Sequence, residues 1–590
     1  MHKITITLLA ALCVLLCSLP LEAQQEQLEF NIDAASVTMP LPAIFKPNMD
    51  LSGRGFHRES LWPQALAAKE TLDIWQNQAG SSGLYRIQYN LWEAAQLSKD
   101  RNLQGKLLLN YDNLFKSITA SGGTIILDLF GTPAGMGRIL DKKSPPWDMN
   151  AFKSAVKAII YDLSCVKKYN IWYEVWDAPD MDDFFLGRKQ EYLALYKAVA
   201  ESIQELEAQT KQHIPVGGPS TSWWFQDIEG NTIATPEKSL VYELIRFCYR
   251  FRLPLDFISW HSYTSDPEAD KENTIYRKTA TVLIRDWLGY FGFDRNTPLL
   301  VTEWNYDRDA NVLAEREEKS YITSSYIFSR LKNMQEAGIN NQTFFSLEDF
   351  KDNKEGVVRN TGVFSFEQEP PEDKGKPKLL CKAFGMLAML GKDMFMVKTD
   401  DEFVGLIVTK TDDGMSIIAY NYIDPEIAMD YIARNIALLT PAQRRIVAGL
   451  IKTGKLETAL DSNQDIGLLH VSGAVKTLLE NAQDLRNKAL KFQESSRAVA
   501  INIKNLKGDY TCDWYAIDSS SLPGCELLPR EKTEIASSEV AQEKLTLNPY
   551  SVQLLILKKK PAEEKPVVTG EDKNRNTTSA EDGTAKNKSS

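Results

Sequence analysis

Between about Pro42 and Gly391, short β-branched or aromatic runs alternate with longer stretches whose apolar residues recur at three and four spacing. That alternation is the rhythm of a parallel sheet wrapped by helices. The runs predict strands at, approximately, Ala43 to Asn48, Leu84 to Tyr89, Thr124 to Phe130, Ile171 to Trp176, Ile214 to Gly217, Asp256 to His261, Leu299 to Trp304 and Gln342 to Leu347. Segments such as Arg188 to Leu206 and Arg316 to Ala337 read as amphipathic outer helices. Eight such units predict an α/β fold, a (β/α)8 TIM barrel over residues 42–395.

From about Lys398 the period shortens. Phe403 to Lys410 and Met415 to Tyr422 read as a hairpin joined across Asp412, Asp413 and Gly414. Later runs at Ala498 to Ile503, Tyr510 to Ala516 and Ser551 to Leu557 extend this to a β-sandwich over residues 396–560, which also accepts an N-terminal strand from residues 24–41. Roughly Asp424 to Ser495 is helix-rich and strand-poor, an insertion packed on the sandwich. From Pro561 the chain is polar and nearly free of large apolar residues, the composition of a disordered tail.

The first residues pair a basic start with an apolar run from Ile4 to Leu16 and a cleavage point near Ala23, the layout of a signal peptide. An exported protein, periplasmic or extracellular, is the expectation. Leu16 is bulky where lipid attachment sites carry a small residue, which argues against a lipid anchor at Cys17. No later segment offers about 18 uninterrupted apolar residues, so no transmembrane helix is expected. Apolar residues make up 43% and charged residues 25%, enough for a sizeable core. A net charge of −11 with scattered Lys and Arg argues against a nucleic-acid partner. Beyond the signal segment the cysteines are Cys165, Cys248, Cys381, Cys512 and Cys525, with no CxxC pair, so no metal site is expected. Cys512 and Cys525 are close enough in sequence for a local disulfide, leaving the other three as small buried hydrophobes.

A barrel of this kind builds its site at the C-terminal ends of its strands. Glu303 ends an otherwise apolar strand beside Trp304, where a carboxylate must be offset by hydrogen bonds or serve a function. His261 and Tyr263 end the sixth strand, and Trp223 and Trp224 follow the fifth. Donors and flat aromatic faces gathered at one rim suit a sugar pocket, and Trp176 and Trp304 are expected to bind the sugar with them. Glu174 lies further back in its strand and reads as a buried structural carboxylate or a hydroxyl ligand, with Trp176 beyond it at the strand end.

The stretch YEVWDAPDMDDFFLGRKQEYLALYKAVAESI followed by PVGGPS resembles the fourth-to-fifth-strand region of glycoside hydrolase family 39, a clan A family of β-xylosidases and α-iduronidases. DFISWHSY, the seventh-strand TEW, TGVFSFEQEPPEDKGKPKLLCKAFGMLAMLG and, more weakly, LNPYSVQLLIL are also similar to it. The resemblance covers about Leu28 to Gly391 and implies a retaining glycosidase that needs no cofactor, with Glu303 as nucleophile. In that family the fourth strand carries Asn-Glu-Pro, whose Glu is the acid/base. Here the Glu position is Ala178 and the Asn position is Asp177.

Retaining hydrolysis needs one carboxylate to attack and a second to protonate the leaving oxygen, which Ala178 cannot do. Asp177 is the first candidate for a substitute acid, followed by Asp180, Asp182 or Asp183 in the next loop, or an acid on the substrate itself. The alternative is a catalytically inactive sugar-binding protein, involved in polysaccharide assembly or recognition. A polysaccharide-assembly partner could dock through the helical insertion.

Overall fold

The structure is a computed structural model. It describes residues 27–51, 69–80, 82–94, 101–224, 236–271, 279–307, 310–317, 319–352, 357–365, 375–399, 401–462, 464–536 and 538–561. The expected signal segment with Cys17, and the tail expected from Pro561 except for that first residue, lie outside the described residues.

Eight parallel strands close into a barrel. They are Met49–Asp50, Leu84–Asn90, Thr124–Phe130, Ile171–Val175, Val216–Thr221, Phe257–Tyr263, Leu299–Asn305 and Asn341–Phe344, the first to eighth barrel strands below. Two differ most from the sequence reading. The first is only Met49–Asp50, because Ala43–Phe45 forms a 3-10 turn between Pro42 and Pro47, residues that lack the N–H a ladder needs. The fifth starts and ends later than expected, at Val216–Thr221, since Gly217 belongs inside it. A Cβ on Gly217 would sit 2.3 Å from the Phe257 carbonyl oxygen, so only glycine lets the fifth and sixth strands approach there.

The outer helices Lys189–Thr210 and Ser320–Ala337 cover the expected segments, with Ala310–Glu317 as a separate helix before the second. Beyond the barrel, the hairpin Val404–Lys410 and Gly414–Asn421 sits in a seven-stranded sheet with Tyr510–Ile517 and Val552–Lys559. A three-stranded sheet packs against it. There the N-terminal strand Leu28–Asp33 pairs in parallel with Arg497–Lys504, which pairs antiparallel with Val540–Leu547. Phe30, Ile32, Val408, Ile417, Ile501 and Leu555 fill the space between the sheets. The strands Glu531–Ile535 and Val540–Leu547 escape the sequence reading because their outward positions are charged or polar and little apolar signal is left.

The insertion forms four α-helices, Ile427–Asn435, Pro441–Lys452, Lys455–Asp461 and Gly473–Gln493, around a core of its own that includes Val447, Leu456, Leu460 and Leu479. The disulfide expectation is corrected. Cys525 pairs with Cys381, on helix Leu380–Ala388, and not with Cys512. Cys512 points into the apolar space between the two sheets, whereas Cys525 lies on a loop facing the barrel, so nearness in sequence did not bring them together.

Candidate active site

Side chains on a strand alternate between its faces, so inward positions of the barrel recur every second residue. The lowest layer is apolar, where Leu84, Ile126, Phe257 and Leu300 meet Trp172. One step up, the same faces carry Arg86, Asp128, Glu174 and Ser259, all buried. Asp50 stands beside Arg86 in register on the first strand. Gln88 and His261 occupy the next step.

Arg86 is the hub of this layer. Its Nε donates to Glu174 Oε2 at 2.7 Å, and its Nη1 donates to Asp50 Oδ2 at 3.0 Å and to Glu303 Oε1. Its Nη2 donates to Asp177 Oδ1 at 2.9 Å and to Ser220 Oγ at 3.3 Å, with Asp128 Oδ2 3.6 Å away. A guanidinium offers five donors in a fixed fork, which is what meeting carboxylates from several strands at once requires.

One cation cannot neutralise five carboxyl groups, and the surroundings separate their protonation. Burial drives Asp128 well above the ordinary carboxylate range, and neither of its oxygens has a hydrogen-bond partner among the described residues. Burial, the largest influence, would raise Glu174 too, but Arg86, His261 and Ser259 together outweigh it and hold Glu174 below its usual value. Burial raises Glu303, with Arg86 and Tyr263 opposing, and pushes Asp177 up to about 6. Burial also pushes the His261 imidazole down to about 4, so it is neutral at pH 7.

Glu303 reaches the interior through a break in alternation. Leu300 faces inward, so simple alternation would aim Glu303 outward. Val301 pairs with Trp260 and Glu303 with His261, so Thr302 is an extra residue on the seventh strand. This bulge turns Glu303 inward. Its Oε2 accepts from Tyr263 OH at 2.7 Å and lies 3.4 Å from His261 Nδ1.

Asp177 is aimed by a comparable device. Trp176 and Ala178 have φ of 69° and 39°, left-handed values that β-branched and bulky residues rarely adopt. The turn brings the Asp177 carboxyl back over Arg86, where Oδ2 accepts from Gln88 Nε2 at 2.9 Å. Its Oδ1 lies 3.6 Å from His261 Nε2, which is 2.8 Å from Ser220 Oγ. Ligand atoms of Asp177, His261 and Glu303 all lie within 4.8 Å of one another. Arg86 donates to two of the three, Asp177 Oδ1 and Glu303 Oε1.

The structure gathers Glu303, Asp177, His261 and Tyr263 at one spot, with Ala178 beside them holding the Ser220 carbonyl through its N–H at 2.9 Å. Glu174 is fully buried one layer beneath. Trp304 is not part of the cluster. It follows the bulge, faces out of the barrel and packs on Tyr326 and Phe344, with Nε1 donating to Gln342 Oε1 at 2.6 Å. Trp176 is buried, packs on Phe130 and Phe185, and donates to the Phe184 carbonyl. Trp224 is buried in the main core, and Trp223 is half-buried against it. Packing therefore accounts for Trp304, Trp176 and Trp224, in place of the sugar-facing surface expected of them. Asp180 accepts from Ser222 N at 2.9 Å and from Ser222 Oγ, which ties the fourth-strand loop to the fifth, while Asp182 and Asp183 are exposed.

Arg86, Gln88, Asp50, Asp128 and Ser220 are missed by the sequence reading. A signal exists for three of them. In LYRIQYN and TIILDLF the polar residue sits at the inward phase set by Leu84 and Ile126, as Glu174 does after Trp172.

Residues 142–437 match the family model for Glycosyl hydrolases family 39. A β-xylosidase of Geobacillus stearothermophilus is 27% identical over 179 residues, covering 28% of this chain and 32% of that protein. A β-xylosidase of Caldicellulosiruptor saccharolyticus is 34% identical over 96 residues, 16% of each chain. The chain thus spans a third or less of the length of these curated relatives. Among solved structures, a glucosidase from Croceicoccus marinus superimposes with a TM-score of 0.60 at 15% identity, covering 91% of this chain and 100% of that one. A monomeric β-xylosidase from Caulobacter crescentus CB15 does so with a TM-score of 0.59 at 14% identity, covering 90% and 99%. At these identities the structural likeness is one of fold.

Proposed function

The chain belongs to glycosyl hydrolases family 39, and from that membership we propose that it is a retaining glycosidase with Glu303 as nucleophile and Asp177 as a substitute acid, exported on the strength of its basic and apolar first residues. The observation that carries this reading is the approach of the Asp177 and Glu303 carboxylates to within 4.8 Å. Retaining pairs stand about 5–5.5 Å apart. Glu303 attacks the anomeric carbon, the glycosidic C–O bond breaks, and the leaving oxygen takes the proton of Asp177. Water then displaces Glu303 and returns a proton to Asp177. The β-xylosidase relatives make a β-xyloside the first substrate to try.

Asp177 is a constrained donor. Its two oxygens already accept from Arg86 and Gln88, bonds that favour the charged form and leave a proton on Asp177 few directions toward the leaving oxygen. A sugar-binding protein without turnover is the second reading, and this same occupancy of Asp177, together with Ala178, favours it.

Asp177→Asn separates the two. The enzyme reading predicts a loss of about a hundredfold or more on a disaccharide, within the span of general-acid assistance, and a much smaller loss on a dinitrophenyl glycoside. The acid must hold its proton, and burial sets Asp177 at about 6. Wild-type kcat/KM on the disaccharide therefore falls as pH rises above about 6, and it also falls at low pH as Glu303 takes a proton. A pH profile measured on both proteins checks this. Disaccharide turnover unchanged by Asp177→Asn would rule out Asp177 as the acid.

A further inference from the structure

We infer that the rim formed by the third- and fourth-strand loops receives an apolar, phenolic aglycone, so that the substrate class is aryl glycosides. This rests on the glycosidase reading above and adds what the leaving group is.

The first observation is the rim itself. The loop of residues 131–148 leaves the third strand and folds back on itself, with Thr132 N donating to Lys142 O at 2.8 Å, Arg138 N to Pro145 O at 3.1 Å and Trp147 N to Met136 O at 2.9 Å. Leu186 N donates to Lys143 O at 3.0 Å, which joins this loop to the one that follows Ala178. The two loops are thus preformed, yet they hold large apolar side chains in water. Leu140 is 88% exposed, Trp147 67%, Ile139 57% and Leu186 44%. Single exposed apolar residues are ordinary, but four on two joined loops at the active-site end of a barrel make a binding surface. Beneath the rim, the buried rings of Phe130, Trp176 and Phe185, with Phe184 against them, brace the loop that carries Asp177.

The second observation is chemical and independent of the first. Ala178 offers no proton, and Asp177 is a short carboxyl with both oxygens occupied. A sugar leaving group depends on full protonation as its bond breaks. A phenol, with a pKa of about 10, departs with the bond's electron pair as a phenolate and takes its proton afterwards from Asp177 or water. Glu303 holds the sugar until water adds at the anomeric carbon and releases it. An apolar rim and a weak acid therefore select the same kind of substrate.

The test uses the full chain and a pair of β-xylosides, para-methylphenyl and para-heptylphenyl, whose phenols are nearly equal in acidity but differ in apolar area. The expected result is a kcat/KM about tenfold higher for the heptyl compound, from partial burial of its chain, with both turned over faster than xylobiose. In the Leu140→Ser/Trp147→Ala variant the heptyl advantage disappears, so that the two aryl xylosides are cleaved at equal rates. Equal rates for the two aryl xylosides in the wild type, an advantage that survives in the variant, or faster cleavage of xylobiose would each overturn the inference and leave the glycosidase reading intact. No turnover of any glycoside, with Glu303 unlabelled by an activated one, would end both.

Discussion

Ala178→Glu is expected to raise kcat/KM for a disaccharide by about a hundredfold, the lower end of what general-acid assistance contributes, and to leave a dinitrophenyl glycoside nearly unchanged. The asymmetry follows from what is missing. Glu303 is already turned inward by the Thr302 bulge and held by Arg86 and Tyr263, so the carboxylate proposed to attack is already in position. The protonating half is a methyl group with a crowded Asp177 beside it. A new carboxyl at 178 supplies protonation only where the leaving group needs it, which is why the dinitrophenyl compound serves as the control. Steady-state kinetics of the two proteins on both substrates measures the effect. A gain of the same size on both would mean that the substitution acts by reshaping the site and not by donating a proton.

The second large effect is on stability. Arg86→Met should cost about 3–5 kcal/mol, the loss typical when one partner is removed from a buried ion pair, and should abolish turnover. Four carboxylates from three barrel strands and their ends, Asp50, Glu174, Asp177 and Glu303, accept from this one guanidinium. Without it they are buried beside one another with no cation. Arg86→Lys should fall close to Arg86→Met, because a single ammonium cannot replace donors on three nitrogens. The pH dependence has a definite sign. In the variant the folded state holds these carboxyls protonated, with pKa values above those of the unfolded chain, so its stability is greatest at low pH and is lost as pH rises above about 4. The deficit relative to wild type in urea unfolding should therefore narrow as pH is lowered from 7 toward 4.

The sequence reading captured the barrel because apolar strands such as Thr124–Phe130 and Leu299–Asn305 are short, continuous and separated by amphipathic helices. It also placed Glu303, His261 and Tyr263, residues at strand ends where their chemistry is visible one by one. Arg86 escaped because it lies mid-strand, where its meaning depends on which carboxylates face it across the barrel. Trp304 misled for the opposite reason. It sits next to Glu303 in sequence, but alternation puts the two on opposite faces once the bulge has turned Glu303 inward. The bulge and the left-handed turns at Trp176 and Ala178 are local departures from strand geometry that no periodic pattern announces. They are also what aims the two carboxylates.

The central claim is that Glu303 is a competent nucleophile in a site whose acid has been replaced. Incubation with an activated deoxyfluoro xyloside, followed by intact-mass and peptide mass spectrometry, tests it most directly, since a good leaving group needs no acid and the fluorine slows release of the covalent intermediate. A single sugar adduct on the peptide carrying Glu303, absent in Glu303→Gln, is the predicted result. No adduct from the xyloside or from a panel of other activated deoxyfluoro sugars would contradict the account.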